Sequence, residues 1–241
     1  MSKQRNLKLK SRTEFIKFID SFAKVNDSFI AEVTTDKISV ITSSPDNTLI
    51  LFGERECSSE YNTNLNIPDS KKLVRVLDTL NCADLEFTLN NNNLEYKDSN
   101  IKFKYHLFDD GFLSKPALSI EKIKNFTFDV SFKLTKQQIQ TIIKGSTFAT
   151  ETNKVYLYTE EGRLVAELTD KARHNTDSYV MSLGETDMTL SPIPINFENI
   201  RLLTLLSDEV SVNINTKHGV IIINTAVNTT KLSYVITSLT Q

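Results

Sequence analysis

Glycine is scarce. The six glycines of this 241-residue chain are Gly53, Gly111, Gly145, Gly162, Gly184 and Gly219, and no two are close. A phosphate-cradling loop needs clustered glycines so that backbone N–H groups can approach the anion, which excludes P-loop and dinucleotide-binding readings. His106, His174 and His218 each stand without a nearby cysteine or second histidine. Metal spacings such as H-E-x-x-H or paired C-x-x-C are missing. There is also no G-x-S-x-G elbow. No metal, no cofactor and no local catalytic motif is therefore read, although a site assembled from distant positions stays open. Cys57 and Cys82 are the only cysteines. They are too few for a disulfide framework, and reduced thiols in the cytoplasm are expected. No run approaches the roughly 20 apolar residues of a membrane helix, and Met1 to Lys10 lacks the apolar core of a signal peptide.

Lys plus Arg is 28 against 30 for Asp plus Glu, a net charge of −2. That excludes a polybasic protein that coats nucleic acid by bulk charge, while leaving a local basic surface open. Hydrophobic residues at 39% and charged residues at 24% fit a folded soluble chain. The length suits one large domain or two small ones.

An internal repeat is the most informative signal. Ser11-Arg12-Thr13-Glu14 has the capping-box pattern, followed at helical spacing by Phe15, Phe18, Ile19 and Phe22. Thr135-Lys136-Gln137-Gln138 is the same box 124 residues on, followed by Ile139, Ile142 and Ile143. At an offset of 126, Val74, Arg75, Val76, Leu77 and Leu80 fall on Ile200, Arg201, Leu202, Leu203 and Leu206, behind the N-cap residues Asp69 and Asn196. The spacing predicts helices over 11–25, 69–81, 135–149 and 196–206. Leu85, Phe87 and Leu89 alternate as Val210, Val212 and Ile214 do, at an offset of 125. Ile101, Phe103 and Tyr105 alternate with lysines, and Leu232, Tyr234 and Ile236 close the second half in the same way, as strands with one buried face do. Further strands are predicted near 28–34, 37–43, 48–54 and 61–67, and near 154–159, 163–169 and 178–183. The chain thus reads as α+β, two copies of one unit of helices on antiparallel strands: residues 1–107, a connector over 108–125, and 126–241.

Only one face of each helix is apolar. Lys17 and Lys24 share the other face of the first helix. Lys71, Lys72 and Arg75 cluster on the second, Lys136 and Lys144 lie on the third, and Arg201 on the fourth. The four helices carry a net +4, which leaves −6 for the remainder of the chain. A solvated helix face accounts for this as well as a contact surface does, since Lys and Arg are good helix formers. The N-terminal run Lys3, Arg5, Lys8, Lys10 reads as a solubilising arm.

The duplicated order of caps, helices and alternating strands resembles the sliding clamp family, the ring-shaped processivity factors of DNA polymerases. Two units per chain over nearly the whole length look like the trimeric clamps of archaea, eukaryotes and tailed bacteriophages, the phage type above all. The resemblance implies the DNA-clamp fold and a homotrimeric ring around double-stranded DNA. It also implies a polymerase partner, an ATP-dependent clamp loader and no catalysis. The DNA-facing residues it implies are Arg12, Lys17, Lys24, Lys71, Lys72, Arg75, Lys136, Lys144 and Arg201; Asp78 departs from that basic preference. Between subunits, Ile101, Phe103, Tyr105 and Leu107 would meet Tyr179, Met181 and Leu183. Edge strands satisfy their unpaired backbone groups by such pairing, and interior strands are the alternative. A partner-peptide pocket would take Phe112, Leu113, Pro116, Leu118 and Leu239, unless these apolar residues merely anchor the connector. Apart from the resemblance, a non-catalytic β-rich structural or virion protein with a duplicated domain also fits the residues.

Overall fold

The computed structural model describes residues 5–90, 92–117, 122–123 and 125–239. The chain divides into two compact units. Met1–Pro45, Ile50–Ser119 and Val227–Leu232 form the first; Asp46–Leu49, Ile120–Ala226 and Ser233–Gln241 form the second.

In the first unit the order is β1 (Arg5–Leu9), α1 (Arg12–Val25), β2 (Phe29–Val33), β3 (Lys37–Ser43), β4 (Leu49–Glu56), β5 (Ser58–Ser59), β6 (Thr63–Ile67), α2 (Ser70–Asp78), β7 (Leu85–Asn90), β8 (Asn93–Lys97) and β9 (Lys102–His106). Its strands pair in the orders β5-β1-β7-β8-β9 and β4-β3-β2-β6. The second unit runs β10 (Val130–Thr135), α3 (Lys136–Gly145), β11 (Lys154–Glu160), β12 (Arg163–Leu168), β13 (Tyr179–Glu185), β14 (Ile193–Asn196), α4 (Phe197–Arg201), β15 (Glu209–Asn215), β16 (Val220–Val227) and β17 (Thr230–Thr237). Here the orders are β10-β15-β16-β17 and β13-β12-β11-β14. Apart from the two-residue β5, which has no counterpart, the second unit repeats the strand order of the first. The register repeats as well: Leu7 opposite Phe87 and Leu9 opposite Leu85 recur as Phe132 opposite Val212 and Leu134 opposite Val210. The fold is α+β and duplicated, as the repeat predicts.

The apolar stripe of α1 is buried through Phe15, Phe18, Ile19 and Phe22. Phe18 meets Phe22 at 5.0 Å between ring centroids, and Phe22 meets Phe29 of β2 at 5.4 Å. Each such ring removed from water contributes about 1.5–3 kcal/mol. Close approach of α1 dictates Gly53 in β4. A Cβ there would lie 2.7 Å from Leu232 Cδ2 and 2.8 Å from Phe22 Cζ.

Several local expectations are corrected. The N-terminal run is not an arm: Arg5–Leu9 forms β1, with Leu7 and Leu9 buried and Lys8 paired to Glu86 at 3.2 Å. Lys3 lies outside the described residues. Strand β14 carries Pro194 on the edge of its sheet, where a missing N–H is tolerated; the proline hid it from the alternation pattern. The fourth helix ends at Arg201, five residues before its expected end. Beyond it, the Tyr234 hydroxyl takes the Thr204 N–H at 2.9 Å and Thr225 Oγ1 takes that of Leu206 at 2.9 Å, in place of helical carbonyls.

The two capping boxes differ. At Thr135 the box forms: Thr135 Oγ1 accepts from Gln138 N and Gln138 Oε1 accepts from Thr135 N. At Ser11 it does not. Ser11 adopts φ 54°, and its side chain makes no cap bond. Glu14 instead accepts from the guanidinium of Arg55, 3.3 Å away, and from Asn228 Nδ2 at 2.6 Å. Arg55 is only 2% exposed. Its other donors reach Thr230 Oγ1 at 2.9 Å and the carbonyls of Lys10 and Ser11. A buried cation without its carboxylate costs several kcal/mol, more than the roughly 1 kcal/mol of a cap, so Glu14 serves the arginine. Denaturant unfolding checks this difference: Glu14→Ala is expected to cost about 3 kcal/mol, and Thr135→Ala about 1 kcal/mol. Equal losses would contradict it.

Candidate nucleic-acid interface

The helices present their cations as the stripe arithmetic requires. On α1, Lys17 and Lys24 are exposed. Lys24 pairs with Asp20 at 3.2 Å, whereas Lys17 forms no ion pair among the described residues. Arg12 is turned inward: its Nη1 donates to Leu77 O at 3.0 Å and its Nε to Cys82 O at 3.2 Å. It thereby closes the carbonyl end of α2, the place where a cation is favoured. Asp69 caps α2 through Lys72 N at 2.7 Å, and Lys71, Lys72 and Arg75 are exposed along it. Lys71 reaches Asp27 at 2.6 Å; Lys72 and Arg75 form no ion pair among the described residues. On α3, Lys144 is exposed and Lys136 half-exposed, also without an ion pair among the described residues. Arg201 on α4 is held by Glu198 at 2.9 Å, by Ser146 Oγ at 3.2 Å and over the Phe197 ring at 4.9 Å. Lys17, Lys72 and Arg75 in the first unit, and Lys136 and Lys144 in the second, therefore stand on helix faces without a carboxylate partner among the described residues. Most strand cations, such as Lys37, Lys104, Lys133, Lys154 and Lys231, are paired with carboxylates. Phe148, just past α3, is 60% exposed; nothing in its spacing marks it in the sequence.

Both strands expected at a subunit boundary end their sheets. β9 pairs only with β8 and β13 only with β12 among the described residues. Ile101, Phe103, Leu107, Tyr179 and Met181 are half-buried, while Tyr105 and Leu183 are buried within their own units. Tyr105 is fixed by its hydroxyl, which donates to Asp69 O at 2.7 Å and accepts from Asp69 N at 3.1 Å; burial pushes its pKa up to about 12. Phe103 stacks on Tyr96 at 5.5 Å. Val180, on the outer face of β13, is 55% exposed.

The connector residues are placed separately. Phe112 is 72% exposed and stacks on Phe108 at 5.7 Å, over a loop pinned by Asn66 Nδ2 to Phe108 O at 3.2 Å and to Asp110 Oδ1 at 2.9 Å. Leu113 and Pro116 are half-buried, and Leu118 lies outside the described residues. In the second unit, Leu239 lines a cavity of about 300 Å³ with Pro192, Ile193, Pro194 and Gly219.

A larger cavity, about 700 Å³, lies in the first unit between Leu9, Ser11, Glu14, Arg55, Cys57 and Asp84. Cys57 lines it, and its pKa is pushed up to about 11 by burial and by the charge of Asp36. The thiol stays protonated at neutral pH, so it is a poor nucleophile. Among the described residues no three His, Cys, Asp or Glu side chains group to hold a metal ion. No described helix is long and apolar enough to cross a membrane.

No protein-family model and no curated protein matches the sequence. Solved structures do. The Proliferating Cellular Nuclear Antigen of Entamoeba histolytica superposes with a TM-score of 0.78 at 13% identity, over 98% of this chain and 99% of its own. A. fulgidus PCNA, solved with the C-terminal region of FEN-1 bound, gives 0.75 at 9% identity over 99% of both chains. The Helicobacter pylori beta clamp bound to a DNA ligase peptide gives 0.74 at 13% identity, over 100% of this chain and 66% of its own. The chain has the sliding-clamp fold, in its two-unit form.

Alkylation kinetics at pH 8 check the inert thiol. With a pKa of about 11 the thiolate fraction is about 0.1%, so Cys57 is expected to react roughly 200-fold more slowly than a free cysteine. A rate near that of a free thiol would contradict the placement of Cys57.

Proposed function

We propose that the protein is a sliding clamp. Three copies close into a ring around duplex DNA and hold a DNA polymerase and other DNA-processing enzymes on it, after an ATP-dependent loader has placed the ring. The two-unit trimeric type is the one proposed, which tailed phages share with archaea and eukaryotes; it acts in the compartment that holds the DNA, the host cytoplasm for a phage.

The observation that carries this reading is the set of unneutralised cations on the helices of both repeats, on a fold that sliding clamps have. Phosphate contacts made by such side chains are independent of sequence, weak and salt-sensitive, which permits sliding. Three copies of a helix set with net +4 give the lining a formal +12. Enclosure, not affinity, then keeps the ring on DNA, and no chemical step is needed. Lys17, Lys72, Arg75, Lys136 and Lys144 are the contacts proposed first. Lys24, Lys71 and Arg201 would exchange an internal carboxylate for phosphate, and Arg12 supports α2 from behind.

Subunits join, in this reading, by pairing β9 of one copy with β13 of the next. The half-buried Ile101, Phe103, Leu107, Tyr179 and Met181 gain cover, whereas Tyr105 and Leu183 contribute mainly backbone. Partner peptides with an apolar anchor fit the cavity at Leu239, with Phe112, Leu113 and Pro116 as further candidates. The ligase peptide and the FEN-1 segment seen on the similar structures are the kind of partner meant.

Reversal of Lys17, Arg75 and Lys144 to Glu tests the assignment. The triple variant is expected to keep its circular dichroism and melting temperature and to lose clamp-dependent stimulation of primer extension. Unchanged stimulation would remove these residues from the channel. A wild type that neither binds nor stimulates would favour a structural role.

A further inference from the structure

Edge strand β13 is irregular at one point. Its ladder with β12 pairs Val165 with Ser182 and Leu164 with Gly184, skipping Leu183. Leu183 is the extra residue of a β-bulge, which leaves its carbonyl without a ladder partner. A buried carbonyl left unmade costs free energy, so a donor is required. That donor is Gln138 Nε2, 2.6 Å from Leu183 O. The same side chain completes the capping box of α3 through its Oε1, 2.7 Å from Thr135 N. At its other end α3 lies against β13 again. Gly145 faces the ring of Tyr179, and a Cβ on Gly145 would lie 2.6 Å from Tyr179 Cε1. Helix and strand are thus fastened twice, at 138 to 183 and at 145 to 179.

The first repeat solves the same problem with different chemistry. Glu14 holds the position of Gln138, and it meets the buried Arg55 of β4, the strand that corresponds to β13. A glutamate there has an arginine opposite. A glutamine there has a bare carbonyl opposite, which its amide N–H satisfies and a glutamate's oxygens cannot.

We infer that Gln138 is a positioning residue for self-assembly: its Nε2–H holds the Leu183 bulge and so sets the edge of β13 that pairs with β9 of a second copy. The inference rests on the ring reading above. Because Lys136 and Lys144 ride on the same helix, Gln138 also fixes their place relative to that edge. The variant that isolates this role is Gln138→Glu. It keeps the acceptor that Thr135 N requires and replaces the donor with an anion facing Leu183 O.

Sedimentation velocity over a concentration series, with thermal unfolding alongside, tests the inference. Gln138→Glu is expected to unfold within a few degrees of the wild type and to need roughly 10-fold more protein for half-assembly, the size of effect one lost hydrogen bond to a buried carbonyl gives. Thr135→Ala removes the cap hydroxyl but not the Nε2 donor; it is expected to lower the melting temperature and leave the assembly midpoint in place. If Gln138→Glu assembles as the wild type does, the inference fails and the ring reading stands. A wild type that stays monomeric throughout overturns both. If the variant does not fold, hydrogen exchange on the wild type decides. The amides of residues 179–183 that face away from β12 are expected to gain protection as concentration rises, and protection independent of concentration refutes the inference.

Discussion

Each helix in this protein has one apolar stripe to bury, and the sheets beneath offer only one surface on which to bury it. That constraint organises the rest. Phe15, Phe18, Ile19 and Phe22 occupy the inner face of α1, so Lys17 has nowhere to go but outward. The same holds for Lys72 and Arg75 around Leu73 and Leu77, and for Lys144 around Ile139 and Ile142. The cations are a by-product of amphipathic helices until carboxylates are counted. Among the described residues, carboxylates pair with most strand lysines and with none of these five. Helix faces that leave their positive charges unneutralised, as in each repeat here, would suit the proposed role of touching a polyanion without gripping it.

The duplicated fold was legible because it rests on periodicity, and periodicity survives where sequence identity does not. Helix caps 124 residues apart, strands 125 apart and the shared register of Leu7–Phe87 with Phe132–Val212 all follow from alternation and helical spacing. What was not legible depended on distant residues. Ser11-x-x-Glu14 reads as a capping box by every local rule, and fails because Arg55, far away in sequence, needs a carboxylate more than the helix needs a cap. The fourth helix stops early for the same kind of reason: the hydroxyls of Thr225 and Tyr234 are better partners than the next helical turn. β1 was masked by its charges and β14 by its proline. Of the candidate site, the helix cations could be read from spacing. The capping work of Arg12, the exposure of Phe148 and the bulge at Leu183 could not, since none leaves a trace in the residues nearby.

The contrast between Glu14 with Arg55 and Gln138 with Leu183 O shows how duplicated units diverge. One position of the repeated pattern, the third residue of a helix against a strand of its sheet, is kept in both. In the first unit it is sealed by an ion pair to the buried Arg55, which resists disruption because the arginine alone would be a desolvated charge. In the second it is a single neutral hydrogen bond beside an open strand edge. A neutral contact can re-form with a modest barrier, which suits an edge that in the proposed ring meets another chain and parts from it.

In the proposed function the ring holds DNA by enclosure. This is tested most directly by assembling the subunits in the presence of a nicked circular duplex, raising the salt until electrostatic contacts are lost, and measuring retention before and after the DNA is linearised. Retention on the circle and loss from the linear form is the expected result, because charged contacts are screened while a closed ring on a closed circle has no exit. Equal release from both forms would contradict enclosure.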